Sequence, residues 1–160
     1  MESKAYERSR PIPSAIGVDL AVVIPTLNER NNIIPLLDRL EMALNGLNWE
    51  VIFVDDDSPD GTAQFLREVA QQNQRVRVIH RIGRRGLASA CVEGVLSTSA
   101  PYFAVIDADM QHDESLLPKM LKAIKDDGLD VVVGSRYVHG GSVLTWDRRR
   151  QLISLVARTL

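Results

Sequence analysis

The stretch WEVIFVDDDSPDGT, from Trp49 to Thr62, combines an apolar run, a tight turn and the start of a helical pattern. Its apolar part is continuous rather than alternating, which is typical of a strand covered on both faces in a parallel sheet. Three aspartates, Asp55 to Asp57, follow directly, and Asp60-Gly61 has strong turn chemistry. We expect Thr62 to be the N-cap of the next helix. The stretch predicts a strand–turn–helix unit with acidic side chains at the carboxyl end of the strand.

The same pattern recurs along the chain. Further strands are predicted for LAVVIPTLNE, RVRVIH, YFAVIDADMQ and LDVVVGSRY, which begin at Leu20, Arg75, Tyr102 and Leu129. Helical patterns fill the gaps, in NIIPLLDRLEMAL, TAQFLREVAQQ, GLASACVEGVLSTS and ESLLPKMLKAIKDD. This alternation predicts an α/β fold, with a doubly wound, mostly parallel sheet and helices on both faces. In such sheets ligands bind at the carboxyl ends of the strands, where the acidic residues of this chain stand.

Length and composition suit one domain. The chain has 160 residues, and 45% of them are hydrophobic, enough for a sizeable core. We expect residues 1–18 to be a flexible N-terminal arm and residues 19–160 to form the domain. The last segment, RRRQLISLVARTL, has the pattern of an amphipathic helix with a basic start, suited to pack on the sheet or to lie on a membrane surface. Since the sequence stops inside that pattern, we expect a domain truncated at its C-terminal end.

Charge is unevenly distributed. The formal net charge of -2 argues against nucleic acid as the main partner. Residues 131–160 nevertheless hold five arginines against one acid, which indicates an anionic ligand or surface near that end; a solvated basic helix is the alternative. Cys91 is the single cysteine, so no internal disulfide forms, and the first residues lack a secretory-signal pattern. We therefore expect a cytoplasmic protein.

The stretch AVIDADMQHDE carries the clearest chemical signal. Asp107 and Asp109 are two residues apart in an extended segment, so their carboxylates project to the same side. Two like charges this close are costly unless a cation lies between them, and oxygen ligands without His or Cys pairs favour Mg²⁺ or Mn²⁺ over zinc. Gln111 is next in phase and suited to supply an amide oxygen or to contact a phosphate. Asp113 and Glu114 are explained more simply as helix-capping acids.

Two other polar strand endings are weaker signals alone. Asp55 or Asp56 is well placed to accept hydrogen bonds from a base or ribose. Glu29 and the backbone groups from Pro25 to Leu27 offer the same. A turn needs only one aspartate of this kind, so turn formation accounts for only part of VDDDSPDGT.

In this order and spacing, VVIPTLNE, VDDDSPDGT and DADMQH resemble the family 2 glycosyltransferases, which have the GT-A fold. With RRGLASACVEG and GSRYVHGG followed by Trp and Arg, the chain looks more narrowly like the polyprenyl-phosphate sugar synthases, a group that includes the dolichyl-phosphate mannose synthases. The resemblance runs from about Leu20 to the end. It implies metal-dependent, inverting transfer of a hexose, mannose favoured, from GDP-mannose or UDP-glucose to polyprenyl phosphate.

The resemblance also implies roles for individual residues. Asp107, Asp109 and Gln111 match the site of the Mg²⁺ or Mn²⁺ ion and the diphosphate, with Asp109 as the catalytic member. Arg136 and Arg150 match basic residues that handle the phosphates of donor and lipid acceptor. An arginine fork suits such an acceptor, because a phosphate monoester is already largely ionised at neutral pH. The arginines before the amphipathic segment suit peripheral contact with the cytosolic face of a membrane.

The donor nucleotide matches a second set of positions. By resemblance these are Pro25, Leu27, Glu29 and Asp55, with Asp56 close by. Leu27 stands where the family often has tyrosine, so stacking on the base is lost and the choice of nucleotide is less determined. Two alternatives remain: a family 2 enzyme that acts on a saccharide hydroxyl, which needs a general base, and a fragment that binds nucleotide sugar without turnover.

Overall fold

The computed structural model describes residues 17–135 as a parallel sheet with helices on both faces, which confirms the predicted α/β class. The strands are β1 (Leu20–Thr26), β2 (Trp49–Asp55), β3 (Val76–His80) and β4 (Tyr102–Val105), in the order β3-β2-β1-β4. The helices are α1 (Ile33–Ala43), α2 (Thr62–Gln72), α3 (Leu87–Leu96) and α4 (Leu117–Asp127), with 3₁₀ turns at Arg30–Asn32 and Glu114–Leu116. Most of the predicted arm and the basic segment after residue 135 lie outside the described residues.

The two central strands are buried on both sides, as their unbroken apolar runs predict. On one face, side chains such as Val22 of β1 and Phe53 of β2 belong to a core cluster with residues of α1, α2 and α4. On the other face, Val23 and Val54 form a smaller cluster with Ala90 of α3. The carboxyl ends of the strands therefore meet at one edge, with helices on both sides of it.

Helix α3 approaches the sheet at a glycine. A Cβ atom built on Gly94 would lie 2.4 Å from Cγ1 of Val23 and 3.0 Å from Cγ2 of Val54. Neither distance accommodates a side chain unless the helix or the two valine side chains shift. The absence of a side chain at Gly94 is thus what lets α3 pack this close to β1 and β2.

The expected N-cap of α2 is wrong by one residue. Gly61 occupies the cap position with φ of +84°, a left-handed conformation that glycine adopts readily, and Thr62 is the first helical residue. The Thr62 N–H and hydroxyl both donate to Oδ1 of Asp60, at 3.0 and 2.6 Å. Asp60 therefore satisfies the first amide of the helix from two residues upstream.

The segment LDVVVGSRY does not form the predicted strand in its described part. Residues 129–135 have no regular structure, and Val131 and Val133 are 74% and 79% exposed. The side chains of Phe103 and Val105 are also exposed, so β4 is not covered on both faces as expected. Among the described residues β4 pairs with β1 alone. An apolar run in the sequence does not identify the strand with which it will pair.

No helix between residues 17 and 135 is both long enough and apolar enough to cross a bilayer.

Candidate active site

The loops after β1 and β2 are joined by a row of hydrogen bonds. Three consecutive amides after β1 donate to side chains after β2: Asn28 to Oγ of Ser58 at 2.9 Å, Glu29 to Oγ1 of Thr62 at 3.2 Å, and Arg30 to Oδ2 of Asp60 at 3.3 Å. Much of the SPDGT motif is thus occupied in holding the neighbouring loop. This arrangement fixes one wall of the crevice at the carboxyl edge.

Asp55 is fully buried at the end of β2, with an exposed fraction of 0%. Its Oδ1 accepts hydrogen bonds from the hydroxyls of Thr26 at 3.1 Å and Ser58 at 2.7 Å. Its Oδ2 accepts from the backbone amide of Ser58 at 3.0 Å. Both carboxylate oxygens are therefore used within the protein, and a direct contact of Asp55 with a nucleotide stays a prediction.

Asp56 points to the opposite neighbour. Its Oδ1 accepts from Nη1 of Arg81 at 2.6 Å, and its Oδ2 accepts from the backbone amide of Gly86 at 2.6 Å. Both Asp56 and Arg81 are buried. Asp56 thus ties the end of β2 to the segment that leads from β3 into α3. Its predicted contact with a nucleotide also stays a prediction.

Asp57 forms a parallel tie, although it is more exposed. Its φ of +57° is uncommon for a residue other than glycine but tolerated by aspartate. Its Oδ2 accepts from the amide of Gly83 at 3.2 Å, and its Oδ1 lies 2.9 Å from Nε2 of His80. The hydrogen bond from the Gly83 backbone, followed by that from His80, lowers the pKa of Asp57. The carboxylate therefore stays ionised to a lower pH than that of an ordinary aspartate.

The tautomer of His80 follows from its other neighbour. Nη2 of Arg67 lies 2.7 Å from Nδ1 of His80, and a guanidinium group only donates. Nδ1 is consequently the acceptor in a neutral ring, and Nε2 carries the proton that is donated to Asp57. The imidazole thereby links α2 to the end of β2.

The two aspartates after β4 lie on the solvent side. Ile106 and Ala108 are buried, whereas Asp107 is exposed and Asp109 is partly exposed. The segment bends from Ala108 to Met110, so the predicted shared direction of the two carboxylates stays a prediction. They are available at the crevice in a way that Asp55 and Asp56 are not.

The residues that follow hold this acidic turn in place. Oδ1 of Asp109 accepts from the amide of Gln111 at 3.0 Å, across Met110, whose φ is +61°. Nε2 of His112 lies 3.4 Å from Oδ2 of Asp107. Gln111 is partly exposed, so the predicted use of its side chain as a ligand stays a prediction.

Asp113 has the predicted capping role, whereas Glu114 makes an ion pair with α1 instead. Asp113 caps the 3₁₀ turn, since its Oδ1 accepts from the amide and hydroxyl of Ser115 at 3.1 and 2.6 Å. Glu114 is buried, and its Oε2 lies 3.7 Å from Nη1 of Arg39 on α1. These two acids therefore position α4 rather than a ligand.

The thiol of Cys91 on α3 is affected by the acidic residues after β2 and after β4. Burial raises the pKa of its thiol, and the negative charges of Asp107 and Asp56 raise it further. A side chain on α3 is thus within electrostatic reach of the acids after both β2 and β4.

The predicted nucleotide residues after β1 differ in accessibility. Leu27 is largely exposed, and Pro25 and Glu29 are partly exposed. Oε2 of Glu29 accepts from Nδ2 of Asn32 at 2.6 Å, which fixes the side chain at the start of α1. Leu27 is therefore the most accessible of these three side chains, and contact of any of them with a nucleotide stays a prediction.

Other predicted residues cannot be placed, and one residue was missed. Arg136 and Arg150 lie outside the described residues. Arg81, which donates to Asp56 over 2.6 Å, was not among the residues singled out from the sequence. The only signal in the sequence was the place of Arg81 directly after the polar end of the predicted strand RVRVIH.

Between residues 17 and 135, no group of three or more His, Cys, Asp or Glu side chains is arranged to hold a metal ion. The pair Asp107 and Asp109 is the arrangement that the sequence indicated. Two carboxylates match Mg²⁺, which typically completes its shell with water and substrate phosphates.

Comparison with known proteins identifies the family. The sequence pattern of Glycosyl transferase family 2 matches residues 21–159. The chain belongs to glycosyltransferase family 2. A dolichol-phosphate mannosyltransferase of Pyrococcus furiosus is 46% identical over 135 residues, which cover 84% of this chain and 38% of that protein. A dolichol-phosphate mannosyltransferase of Saccharomyces cerevisiae is 34% identical over 149 residues, which cover 91% of this chain and 55% of that protein.

Solved structures share the fold. The mannosyltransferase PcManGT from Pyrobaculum calidifontis, in complex with GDP-Man and Mn²⁺, aligns with a TM-score of 0.58 and 24% identity over 70% of this chain and 34% of its own. Glucosyl-3-phosphoglycerate synthase from Mycobacterium tuberculosis aligns with a TM-score of 0.54 and 24% identity over 69% of this chain and 40% of its own. The predicted GT-A fold is confirmed. This family 2 chain spans 38% and 55% of the lengths of these two curated relatives.

Proposed function

We propose that this protein transfers a hexose, with mannose favoured, from a nucleotide diphosphate sugar to polyprenyl phosphate, with inversion and with the help of a divalent cation. Two relatives named dolichol-phosphate mannosyltransferase, 46% and 34% identical, support this acceptor and this sugar. GDP-mannose is the leading donor and UDP-glucose the second. We place the enzyme in the cytoplasm, in peripheral contact with the cytosolic face of a membrane.

One observation carries the proposal: Asp107 and Asp109 stand on the solvent side at the end of β4, opposite buried Ile106 and Ala108. Their hard oxygen donors suit Mg²⁺ or Mn²⁺, and Gln111 is the third candidate ligand. A bound cation would neutralise charge that develops on the leaving diphosphate. Asp109 is the proposed catalytic residue of the pair.

The acceptor chemistry needs little from the protein beyond orientation. A phosphate monoester has a second pKa near 6, so its oxygen is a competent nucleophile at neutral pH without a general base. The phosphate oxygen forms a bond to C1 of the sugar as the bond from C1 to the nucleotide diphosphate breaks on the opposite side. We propose that Arg136 and Arg150 orient the two phosphates through forked hydrogen bonds.

The donor nucleotide is proposed to lie at the ends of β1 and β2. Pro25, Leu27 and Glu29 would border it on one side. Asp55 and Asp56 would shape the floor, since their carboxylates hold the loops on either side of β2. Leu27 offers an apolar contact without stacking, so selectivity for the base must come from other groups.

A transfer assay tests the proposal. Radiolabelled GDP-mannose and UDP-glucose are incubated with the protein and polyprenyl phosphate, with Mn²⁺, with Mg²⁺ or with a chelator. We expect a mannosylated lipid that forms with either metal and is lost with the chelator. Transfer to a free saccharide hydroxyl, or nucleotide binding without any product, would contradict the proposal and support one of the two alternatives.

A further inference from the structure

We infer that Arg81 is a positioning residue for the donor nucleotide: it holds Asp56 and the first turn of α3 in the arrangement that the nucleotide site requires. The inference rests on the proposed function, because it takes the carboxyl edge of the sheet to bind a nucleotide diphosphate sugar. It assigns a role to a residue that was not among the predicted site residues.

The burial of Arg81 is the first observation. An arginine is almost never fully buried unless it is paired, and Arg81 is 2% exposed. Its guanidinium group reaches four partners: Oδ1 of Asp56 at 2.6 Å, the carbonyl of Gly86 at 3.1 Å, Oγ of Ser89 at 2.6 Å, and Oε2 of Glu93 at 3.3 Å. One side chain after β3 thus connects the end of β2 with the first two turns of α3.

The two carboxylate partners are not equivalent. Glu93 is shared, since Nη1 and Nη2 of Arg84 donate to its two oxygens at 3.0 and 2.9 Å. Nε of Arg81 is near Oε2 of Glu93, but among the described residues it makes no hydrogen bond of acceptable geometry. Asp56 instead accepts a short hydrogen bond of 2.6 Å from Nη1 of Arg81. We therefore expect Asp56 to be the dominant partner.

What Arg81 holds is part of the proposed site. The amide of Gly86 donates to the other oxygen of Asp56, so Asp56, Arg81 and Gly86 form a closed unit at the start of α3. One helical turn later, Cys91 lies within reach of the charges of both Asp56 and Asp107. A shift of this unit would move α3 relative to the proposed metal ligands.

The chemistry of the contact explains why an arginine is needed. The planar guanidinium group directs separate N–H groups to three acceptors in fixed directions. A lysine would keep the positive charge beside Asp56 but could not reach Ser89 and Gly86 with the same geometry. Replacement of Arg81 by lysine therefore keeps the positive charge beside Asp56 but removes the contacts that position the start of α3.

Arg77 provides a matched control on β3, the strand that directly precedes Arg81. It is more exposed, and its Nη1 pairs with Glu50 at 3.2 Å while its Nη2 donates to the carbonyl of Ser97 at 2.9 Å. These contacts lie away from the carboxyl edge, in the opposite half of β3. Arg77→Gln thus represents the loss of a paired arginine that weakens the fold without affecting the carboxyl edge.

The experiment compares the wild-type protein with Arg81→Lys, Arg81→Gln and Arg77→Gln. Thermal unfolding, KM for the nucleotide sugar, KM for polyprenyl phosphate, and kcat are measured for each. We expect Arg81→Lys to remain folded and to raise the donor KM about tenfold, which corresponds to about 1.4 kcal/mol, with the acceptor KM unchanged. Arg81→Gln should raise it further, and Arg77→Gln should leave both KM values within about twofold.

The opposite results are equally definite. A folded Arg81→Lys protein with a wild-type donor KM overturns the inference, as does an equal rise in both KM values. If neither Arg81 variant folds, Ser89→Ala removes one anchor without a change in charge, and an unchanged donor KM in that variant overturns the inference. A wild-type protein that binds no nucleotide diphosphate contradicts the proposed function itself, before any variant is compared.

Discussion

The hydroxyl of Thr26 donates a hydrogen bond to Oδ1 of Asp55 over 3.1 Å, and so joins the end of β1 to the end of β2. The next aspartate, Asp56, makes its contact with Arg81 on the other side, after β3. This division follows from the sheet order, in which β2 lies between β1 and β3. The acids of one short motif thus hold both neighbouring loops before any ligand binds.

The tie made by Asp55 should contribute strongly to stability. Asp55→Ala leaves the Thr26 hydroxyl and two Ser58 donors without their acceptor in a buried place. We expect a loss of at least about 2 kcal/mol in the free energy of unfolding, measured by urea denaturation. Asp38→Ala, at an exposed position of α1, should change it by less than about 0.5 kcal/mol. Similar losses in the two variants would contradict this account of Asp55.

The close approach of α3 to the sheet gives a second prediction. Gly94→Ala introduces a methyl group where Val23 and Val54 leave no room, so we expect a loss of about 1–3 kcal/mol in the free energy of unfolding. Val92→Ala, on the exposed side of the same helix, serves as the control and should cost less than about 0.5 kcal/mol. A Gly94→Ala protein as stable as wild type would show that α3 is packed differently.

The reactivity of Cys91 tests the proximity of the two acidic groups. The charge of Asp107 raises the pKa of this thiol, so Asp107→Asn should lower the pKa and increase the thiolate fraction at pH 8. Alkylation by iodoacetamide, followed by mass spectrometry, should then be faster than in wild type. Asp127→Asn, at the exposed end of α4, should leave the rate unchanged. An unaltered rate in Asp107→Asn would place Cys91 away from the end of β4.

The pH dependence of stability should report on Asp57. Its pKa is lowered in the folded protein, chiefly by the hydrogen bond from Gly83, so its contribution is present above the unfolded value of about 4. That contribution is lost as pH falls through the lower folded pKa. The difference in melting temperature between wild type and Asp57→Asn should therefore shrink from pH 6 to pH 3. A constant difference across this range would mean that the ionised carboxylate is not what stabilises the loop.

The sequence predicted the elements better than their connections. Periodicity alone identified β1 to β4 and all four helices, because buried strands and amphipathic helices differ in the spacing of apolar residues. The acids that follow the apolar runs marked the carboxyl ends of the strands, because they stand where each apolar segment stops. LDVVVGSRY was assigned wrongly in its described part, since an apolar run alone does not specify a pairing partner.

The contacts of each acid were beyond sequence reasoning. Thr26 and Asp55 are 29 residues apart in the sequence, and other hydrogen-bond partners in the site have similar separations. Whether such residues meet depends on the order of the strands. The sequence therefore named Asp55 and Asp56 as candidate nucleotide contacts without showing that both carboxylates accept hydrogen bonds within the protein. The burial of Arg81 was equally hidden, because charge alone does not distinguish a solvated arginine from a paired one. Asp107 and Asp109 were clearer, since alternation in one strand ending is a local property.

The central claim is that Asp107 and Asp109 hold a divalent cation that binds the nucleotide diphosphate. Its most direct test is the affinity for GDP and UDP, measured by calorimetry with Mn²⁺ and with a chelator, in wild type, Asp109→Asn and the control Asp127→Asn. We predict that Mn²⁺ increases the wild-type and control affinity for at least one nucleotide by about tenfold or more, and that this increase disappears in Asp109→Asn. A wild-type affinity that is independent of Mn²⁺, or an Asp109→Asn protein with the full metal effect, would contradict the claim.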